Sequence, residues 1–378
     1  VTVTAAAQLA QRGRRLTAYT HVPLPGAALP PVPGRFGDEG PGAAATAALH
    51  GNIDHVLVDC ARRHIGDNFE SNFYYCEYPL LNPINSLWEG EICRQAAARG
   101  ARLLLTGQGG NMTVSVDGFE RLPELLGRGR LLAWAGAVLA LMRIGRHLPR
   151  FLLGASVLPF LPHDLIRLLR HALRRPDVHL GDYTSLRADV IDSADFQQHL
   201  AALGFDVRYR PWRDAHAKRR MVLWRTDFLA QHRKGILAAT GLDVRAPAAD
   251  LRLVEFLSGV PSDLFLRDGQ SAWLFKAAFG DRLPAQTVAA RRKGLQSADW
   301  ATRLRRDLPG LLPDIERARH SPTAAAVMDL DRVQADAAVL TTTDGWAETA
   351  PTQRTRYLRL SRALSVAHFL RKLDAGNQ

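Results

Sequence analysis

The 378-residue chain is short of cysteine and lysine, has no long apolar run, and shows no internal repeat or low-complexity tract. Each shortage excludes a class of protein. The three cysteines, Cys60, Cys76 and Cys93, form no CxxC pair and no even framework. A disulfide scaffold and a cysteine-built zinc site are thereby excluded, and a reduced, cytoplasmic setting is expected. The longest apolar runs, 131–142 and 151–162, are about 12 residues each, against the ~20 that a bilayer span needs. Arginines flank both, so they read as buried helices, and no membrane partner is expected. A charged fraction of 23% and a hydrophobic fraction of 47% exclude disorder and coiled coil.

What the chain has in excess is arginine. Lys and Arg total 49 against 37 Asp and Glu, a net charge of +12, yet only Lys218, Lys234, Lys276, Lys293 and Lys372 are lysines. The charge admits nucleic acid, a membrane surface or an acidic ligand as partners and does not choose among them.

Residues 2–12 read as a helix stopped by Gly13, and 15–22 as a strand. The Pro- and Gly-dense stretch 23–42 reads as a loop and 43–50 as a helix. Residues 55–60 form the next strand, 85–99 a helix and 101–106 a buried strand running into Gly107-Gln108-Gly109-Gly110. Strand and helix thus alternate at parallel-sheet spacing over the first 120 residues. From Leu122 onward the pattern predicts helices only. His163-Asp164 opens a helix over 165–174, with Asp164 as its capping acceptor. Leu165, Leu168, Leu169 and Leu173 share one face of it, with Arg167, Arg170, Arg174 and Arg175 around them as a solvated basic face.

Four blocks carry chemistry. Gly107, Gln108, Gly109, Gly110 and Asn111 follow a strand, where glycines let backbone N–H groups approach a phosphate. Asp243-Val244-Arg245-Ala246-Pro247 leads to Asp250 and Leu253-Val254-Glu255-Phe256. Gly269 leads into a helix that ends before Leu283-Pro284. Arg291-Arg292-Lys293-Gly294, followed by Trp300, offers a mobile point charge in a basic loop. Singly, each also reads as ordinary structure: a tight turn, a helix entry, helix punctuation, a surface loop.

In this order and spacing the blocks resemble the synthetase domain of asparagine synthetases, whose signatures are GxGGDE, LEVRVPFLD…LVEF, GxxKxLLR, an LP pair and RxKxGF with a Trp nearby. Here they stand as GQGGNM at 107–112, LDVRAPAAD-LRLVEF at 242–256, GQSAWLFK at 269–276, LP at 283–284 and RRKGLQ at 291–296. The resemblance spans nearly the whole chain. It implies an α/β fold of the adenine-nucleotide alpha-hydrolase (PP-loop ATPase) kind, a parallel sheet with helices on both faces and a largely helical C-terminal part. Residues 1–120 are expected to be the nucleotide-binding part and 121–378 the helical remainder with the lysine loop. The family's pyrophosphate loop, SGGxDS, is absent before the helix at Val1, as are the first strand and the glutaminase domain that many members carry. A fragment is therefore expected, inactive as it stands, with the missing strand central, between 15–22 and 103–106.

The resemblance further implies ATP-dependent amide-bond formation through an acyl-adenylate, with ATP and Mg²⁺. Lys293 takes the place of the catalytic lysine. Asp243 stands at a family Glu position, from which it would orient the amine or Lys293. Gly107, Gln108, Gly109 and Gly110 line the nucleotide, and Asn111 falls at a metal-ligand position. The departures are Asn111 and Met112 for the two acids of GxGGDE, Ala248-Ala249 for Phe-Leu, and Ala272 for the helix lysine. A neutral amide is a poorer Mg²⁺ ligand than a carboxylate. The substrate is then a small amino acid or, as in the related lasso-peptide macrolactam synthetases, a precursor peptide whose Asp or Glu side chain is joined to its own N-terminus. Tyr78-Pro79-Leu80-Leu81-Asn82-Pro83 also looks like that group. Two readings from other classes stand beside these: a degenerate scaffold, from the lost acids, and an RNA binder, from Arg210, Arg213, Arg219 and Arg220 among Tyr209, Trp212 and Trp224. No RNA-binding motif is present, so nucleic acid is not the expected partner.

Overall fold

The structure is a computed structural model that describes residues 1–29, 31–32, 34–145, 147–172, 180–204, 212–218, 227–290, 292–342 and 351–376. Among these, the strands are β1 (Leu16–His21), β2 (Arg35–Phe36), β3 (Ile53–Val58), β4 (Leu103–Leu105), β5 (Asp243–Arg245), β6 (Leu266–Arg267), β7 (Gln270–Ser271) and β8 (Lys293–Gly294). Three pairs, β1 with β3, β4 with β5, and β2 with β8, are parallel, and β6 with β7 is an antiparallel hairpin. The parallel pairing is what α/β alternation requires.

The first helix, Thr2–Ala10, ends where Gly13 takes φ 63°, a conformation open to glycine. Asn82 caps the helix Pro83–Ala98 by accepting from the Asn85 N–H at 3.3 Å, and Pro83 opens its first turn. Leu87 and Ile92 of this helix pack on Val58 and Cys60, while Cys93 and Ala96 pack on Leu242 and Val244. Tyr19 of β1 and Leu104 of β4 belong to both clusters. One helix thus covers both halves of the sheet, β1–β3 and β4–β5, although no hydrogen bonds join the halves.

The largest core lies elsewhere. Ile65, Phe69, Leu80 and Ile84 pack against leucines and alanines of the helices Trp300–Ala318, Leu330–Thr342 and Pro351–Asp374. This cluster crosses the expected boundary at residue 120, so the two stretches share a core.

Five expectations change. The apolar runs 131–142 and 151–162 are not buried helices: Leu131, Leu132, Phe151 and Leu153 are exposed, because the small cluster around Leu122 and Leu266 takes up Leu141 and Leu152 and leaves the other faces uncovered among the described residues. The stretch 101–106 is not a buried strand: only Leu103–Leu105 is extended, and Leu103 and Leu105 are 49% and 39% exposed. Among the described residues β4 pairs only with β5. The C-terminal part is not helices only, because β5 to β8 lie there, and strands of two or three residues are too short to show a period of two. The stretch 23–42 contains β2, and the following helix begins at Gly40, with Pro41 in its first turn. The helix expected over 165–174 spans His163–Ala172, with Asp164 inside its first turn, and its leucines 165, 168 and 169 face outward. Leu173, Arg174 and Arg175 lie outside the described residues. Among those described, no helix is long and apolar enough to cross a membrane.

Candidate active site

In open parallel sheets ligands bind beyond the carboxyl ends of the strands. Here a cleft of about 920 Å³ lies at those ends. His21 closes β1, Gly107 follows β4, Trp88 comes from the covering helix, and Arg292 and Ser297 come from the late basic loop. The glycine bend and the basic loop, 185 positions apart from Gly107 to Arg292, therefore line one cavity.

The basic loop is fastened by β2 and β8. The Lys293 N–H donates to the Gly34 carbonyl at 3.0 Å and the Leu295 N–H to the Phe36 carbonyl at 2.8 Å. The Arg292 guanidinium donates to the Arg35 carbonyl at 3.0 Å through Nε. Lys293 is exposed and is not among the residues that line the cleft; its charge reaches His147, whose pKa is lowered by burial and by Lys293 against the opposing charge of Asp117. Arg291 lies outside the described residues.

The glycine bend is tied to the second sequence block. Thr106 N–H donates to the Arg245 carbonyl at 2.8 Å, extending the β4–β5 ladder. The Thr113 hydroxyl bonds to the Gly109 carbonyl at 3.0 Å and the Ala248 carbonyl at 2.8 Å. Gly109 has φ 80°, where a side chain is strained, and a Cβ on Gly107 would meet open space in the cleft. Gly107 and Gly110 also border a second, apolar cavity of about 490 Å³, which Phe275, Phe279 and Leu283 of the third block complete. Gln108 turns its side chain away from both cavities: its amide donates to Glu89 Oε1 at 3.1 Å and accepts from Arg233 at 3.3 Å.

The remaining residues divide. Asp243 opens β5 opposite Leu103, at the far end of the strand from the bend, and its partner is Arg245 at 2.7 Å, not Lys293. Asp250 caps the helix Leu251–Ser258 by accepting from the Arg252 N–H at 3.1 Å. Trp300 is buried, stacked on Tyr357 at 3.4 Å, and belongs to the core. Asn111 is exposed on the short turn Gly110–Met112. Among the described residues no three His, Cys, Asp or Glu side chains converge to hold a metal. Tyr78–Pro83 runs beneath the last helix, with the Leu80 N–H on Ser365 Oγ at 2.7 Å. Of the RNA-binding set, Arg213 packs over the Phe160 ring at 4.9 Å and donates to the Pro159 carbonyl at 2.7 Å. Trp212 is described too, but Tyr209, Arg210, Arg219, Arg220 and Trp224 lie outside the described residues.

Sequence reasoning missed the residues at the first strand's end. His21 stacks on Trp88, with centroids 5.6 Å apart and planes 23° from parallel. Burial pushes its pKa down to about 4, with Arg303 adding to the effect, so the ring is neutral at pH 7. Beneath it, buried Arg303 pairs with Asp299 at 2.8 Å and donates to the Asp59 carbonyl at 2.7 Å, while Asp299 accepts from the Leu24 N–H at 2.8 Å. Asp38 and Glu39 also line the cleft, and burial followed by the charge of Asp38 raises the Glu39 pKa. These are single polar residues at element ends, and no spacing marks them.

The cleft thus joins a neutral stacking pair, one glycine of the bend and one cation, Arg292, with the acids Asp38 and Glu39 on the same lining. No curated protein and no solved structure matches the chain. The sequence model of the family described as Asparagine synthase does match, over residues 1–360, and the chain accordingly belongs to the asparagine synthase family of ATP-dependent amide ligases.

Proposed function

We propose that the protein forms an amide bond by activating a carboxylate on the α-phosphorus of ATP, releasing pyrophosphate, and passing the acyl group from AMP to an amine. The observation that supports this is the shared cleft of Gly107 and the Arg292–Ser297 loop. A carboxylate is a weak electrophile, and adenylation supplies its leaving group. Lys293 and Arg292 offset the charge that builds on the phosphoryl oxygens, and preorganised charges of this kind contribute the largest share of such catalysis. Gly107, the residue of the bend that lines the cleft, lets the phosphates approach the backbone, and Trp88 with neutral His21 offers the base a flat surface. Asp243, at the far end of β5, serves the amine only through Arg245. Among the described residues no three acidic, His or Cys side chains converge, and Asn111 brings a neutral amide where the resemblance places a metal ligand, so no step here runs through Mg²⁺.

The first substrate choice is a small amino acid with ammonia, from a glutaminase-type domain, in the cytoplasm. The second is a precursor peptide closed into a macrolactam, and the outward leucines of the helices Leu131–Arg143 and His163–Ala172 favour it as a peptide-sized apolar surface. In the protein as it occurs, Lys293→Ala is expected to lower substrate-dependent pyrophosphate release by at least ~10²-fold, with an unchanged circular-dichroism melt because the side chain is exposed. Undiminished release removes Lys293 from the chemistry. No release from the unsubstituted protein with either substrate class leaves the scaffold reading in place. Loss of one water from a precursor peptide by mass spectrometry selects the macrolactam.

A further inference from the structure

Behind the glycine bend lies a second cluster that the amide-ligase reading does not use. Cys76 Sγ is 3.8 Å from His232 Nδ1 and 3.9 Å from the His232 carbonyl. His232 Nε2 is 3.2 Å from Glu89 Oε2. Sulfur, imidazole and carboxylate therefore form a chain in the order that favours a reactive thiolate: the charged ring stands beside the sulfur, and the acid orients the ring and stabilises its charge. Burial opposes a charged ring here, but Cys76 and Glu89 outweigh it and raise the His232 pKa to about 9. The three side chains border a small cavity of about 70 Å³, large enough for water-sized molecules.

The other two thiols provide the contrast. Cys60 and Cys93 are buried without an imidazole, and burial pushes their pKa values up to about 11 and about 12. Cys93 borders the same cavity as Cys76, so the two share access and differ in electrostatics. Cys76 ends the helix Phe69–Cys76, whose carbonyl pole disfavours a sulfur anion. Its activation must then come from His232 and Glu89.

We infer that Cys76 is an oxidation site for small hydroperoxides. With its ring already protonated at pH 7, His232 stabilises the thiolate form of Cys76, whose own proton has gone to solvent, and that thiolate attacks one peroxide oxygen. The O–O bond breaks, the sulfur is oxidised by two electrons to a sulfenic acid, and the departing hydroxide takes the proton from His232 and leaves as water. Glu89 also holds Gln108, so the oxidised residue sits three contacts from the glycine bend. The thiol chemistry does not depend on the amide-ligase reading.

The test is a time course with hydrogen peroxide at pH 7, followed by acid unfolding, alkylation of surviving thiols and site-resolved mass spectrometry. It is run on the full chain and in a Cys93→Ser background, so that a disulfide cannot mask the order of events. Cys76 is expected to be lost at least ~10-fold faster than Cys60, and His232→Gln or Glu89→Gln to slow it ~10-fold. Circular dichroism establishes that each variant is folded, and the Cys60 rate serves as a second control on folding. Equal rates at Cys76 and Cys60, or a Cys76 rate untouched by both folded variants, overturns the inference.

Discussion

The helices at 300–374 and those at 131–172 are made of much the same residues, leucine, alanine and arginine, and they end in opposite states. In the first group the leucines meet one another: Leu304, Leu308, Leu360 and Leu364 are buried in the main core, Leu364 at 1% exposure. In the second, only Leu141 and Leu152 join a small cluster with Leu122 and Leu266, while Leu132 is 91% and Leu168 64% exposed. Arginine behaves accordingly. Arg359 is buried against Asp336 at 2.6 Å, whereas the stretch 131–172 contains a single acid, Asp164. A leucine stripe reports that a helix has an apolar face; whether anything covers it depends on the rest of the chain.

The largest effect expected on this contrast is at the buried pair under the cleft. Arg303→Ala leaves Asp299 charged and enclosed and should cost about 3–5 kcal/mol in urea unfolding; Asp299→Ala with Arg303→Met should recover much of it. A loss below ~1 kcal/mol means the pair is hydrated. Next, Leu364→Ala should cost about 2–5 kcal/mol, and a value near zero means the main core is not closed. The third effect is pH-dependent. The ordinary His pKa is 6.5 and that of folded His21 about 4, so below 6.5 the unfolded chain binds a proton that the fold refuses. Stability therefore falls as pH drops from 6.5 towards 4, by about 2 kcal/mol at pH 5, and His21→Asn should flatten that limb. His232 acts on the other side: with its folded value raised to about 9, its contribution is complete below 6.5 and is lost as pH rises through about 9. Urea midpoints measured from acid to alkali should thus peak near neutrality. The smallest effect is Leu132→Ser, expected within ~0.5 kcal/mol; a larger loss means that this face is covered in solution.

Much of the frame was legible because it rests on local signals. The period of apolar residues marked β1, β3 and the helix Pro83–Ala98, and Gly13 marked a helix stop at its positive φ. Gly107 and the Arg292 loop were singled out by the order of the four blocks, and the structure brings both to one cleft. What escaped has no local signal. β8 is two residues long and exists because β2 lies beside it. His21 is kept neutral by burial, which the fold completes with Trp88 on its face and Arg303, 282 positions later, against it. Cys76 and His232 are 156 positions apart, and nothing near either residue names the other. Asp243 carried the opposite lesson: a residue type matched to a motif position found its partner two residues away, in Arg245.

The seam between Arg35 and Arg292 closes a loop of 257 residues. A ribosome delivers the nascent polypeptide from its amino end, so the floor of the cleft at His21 and Gly107 emerges long before its rim. The pocket assumes its final shape late in synthesis, and a chain halted before Arg292 would carry the glycine bend without the guanidinium that shares its cleft.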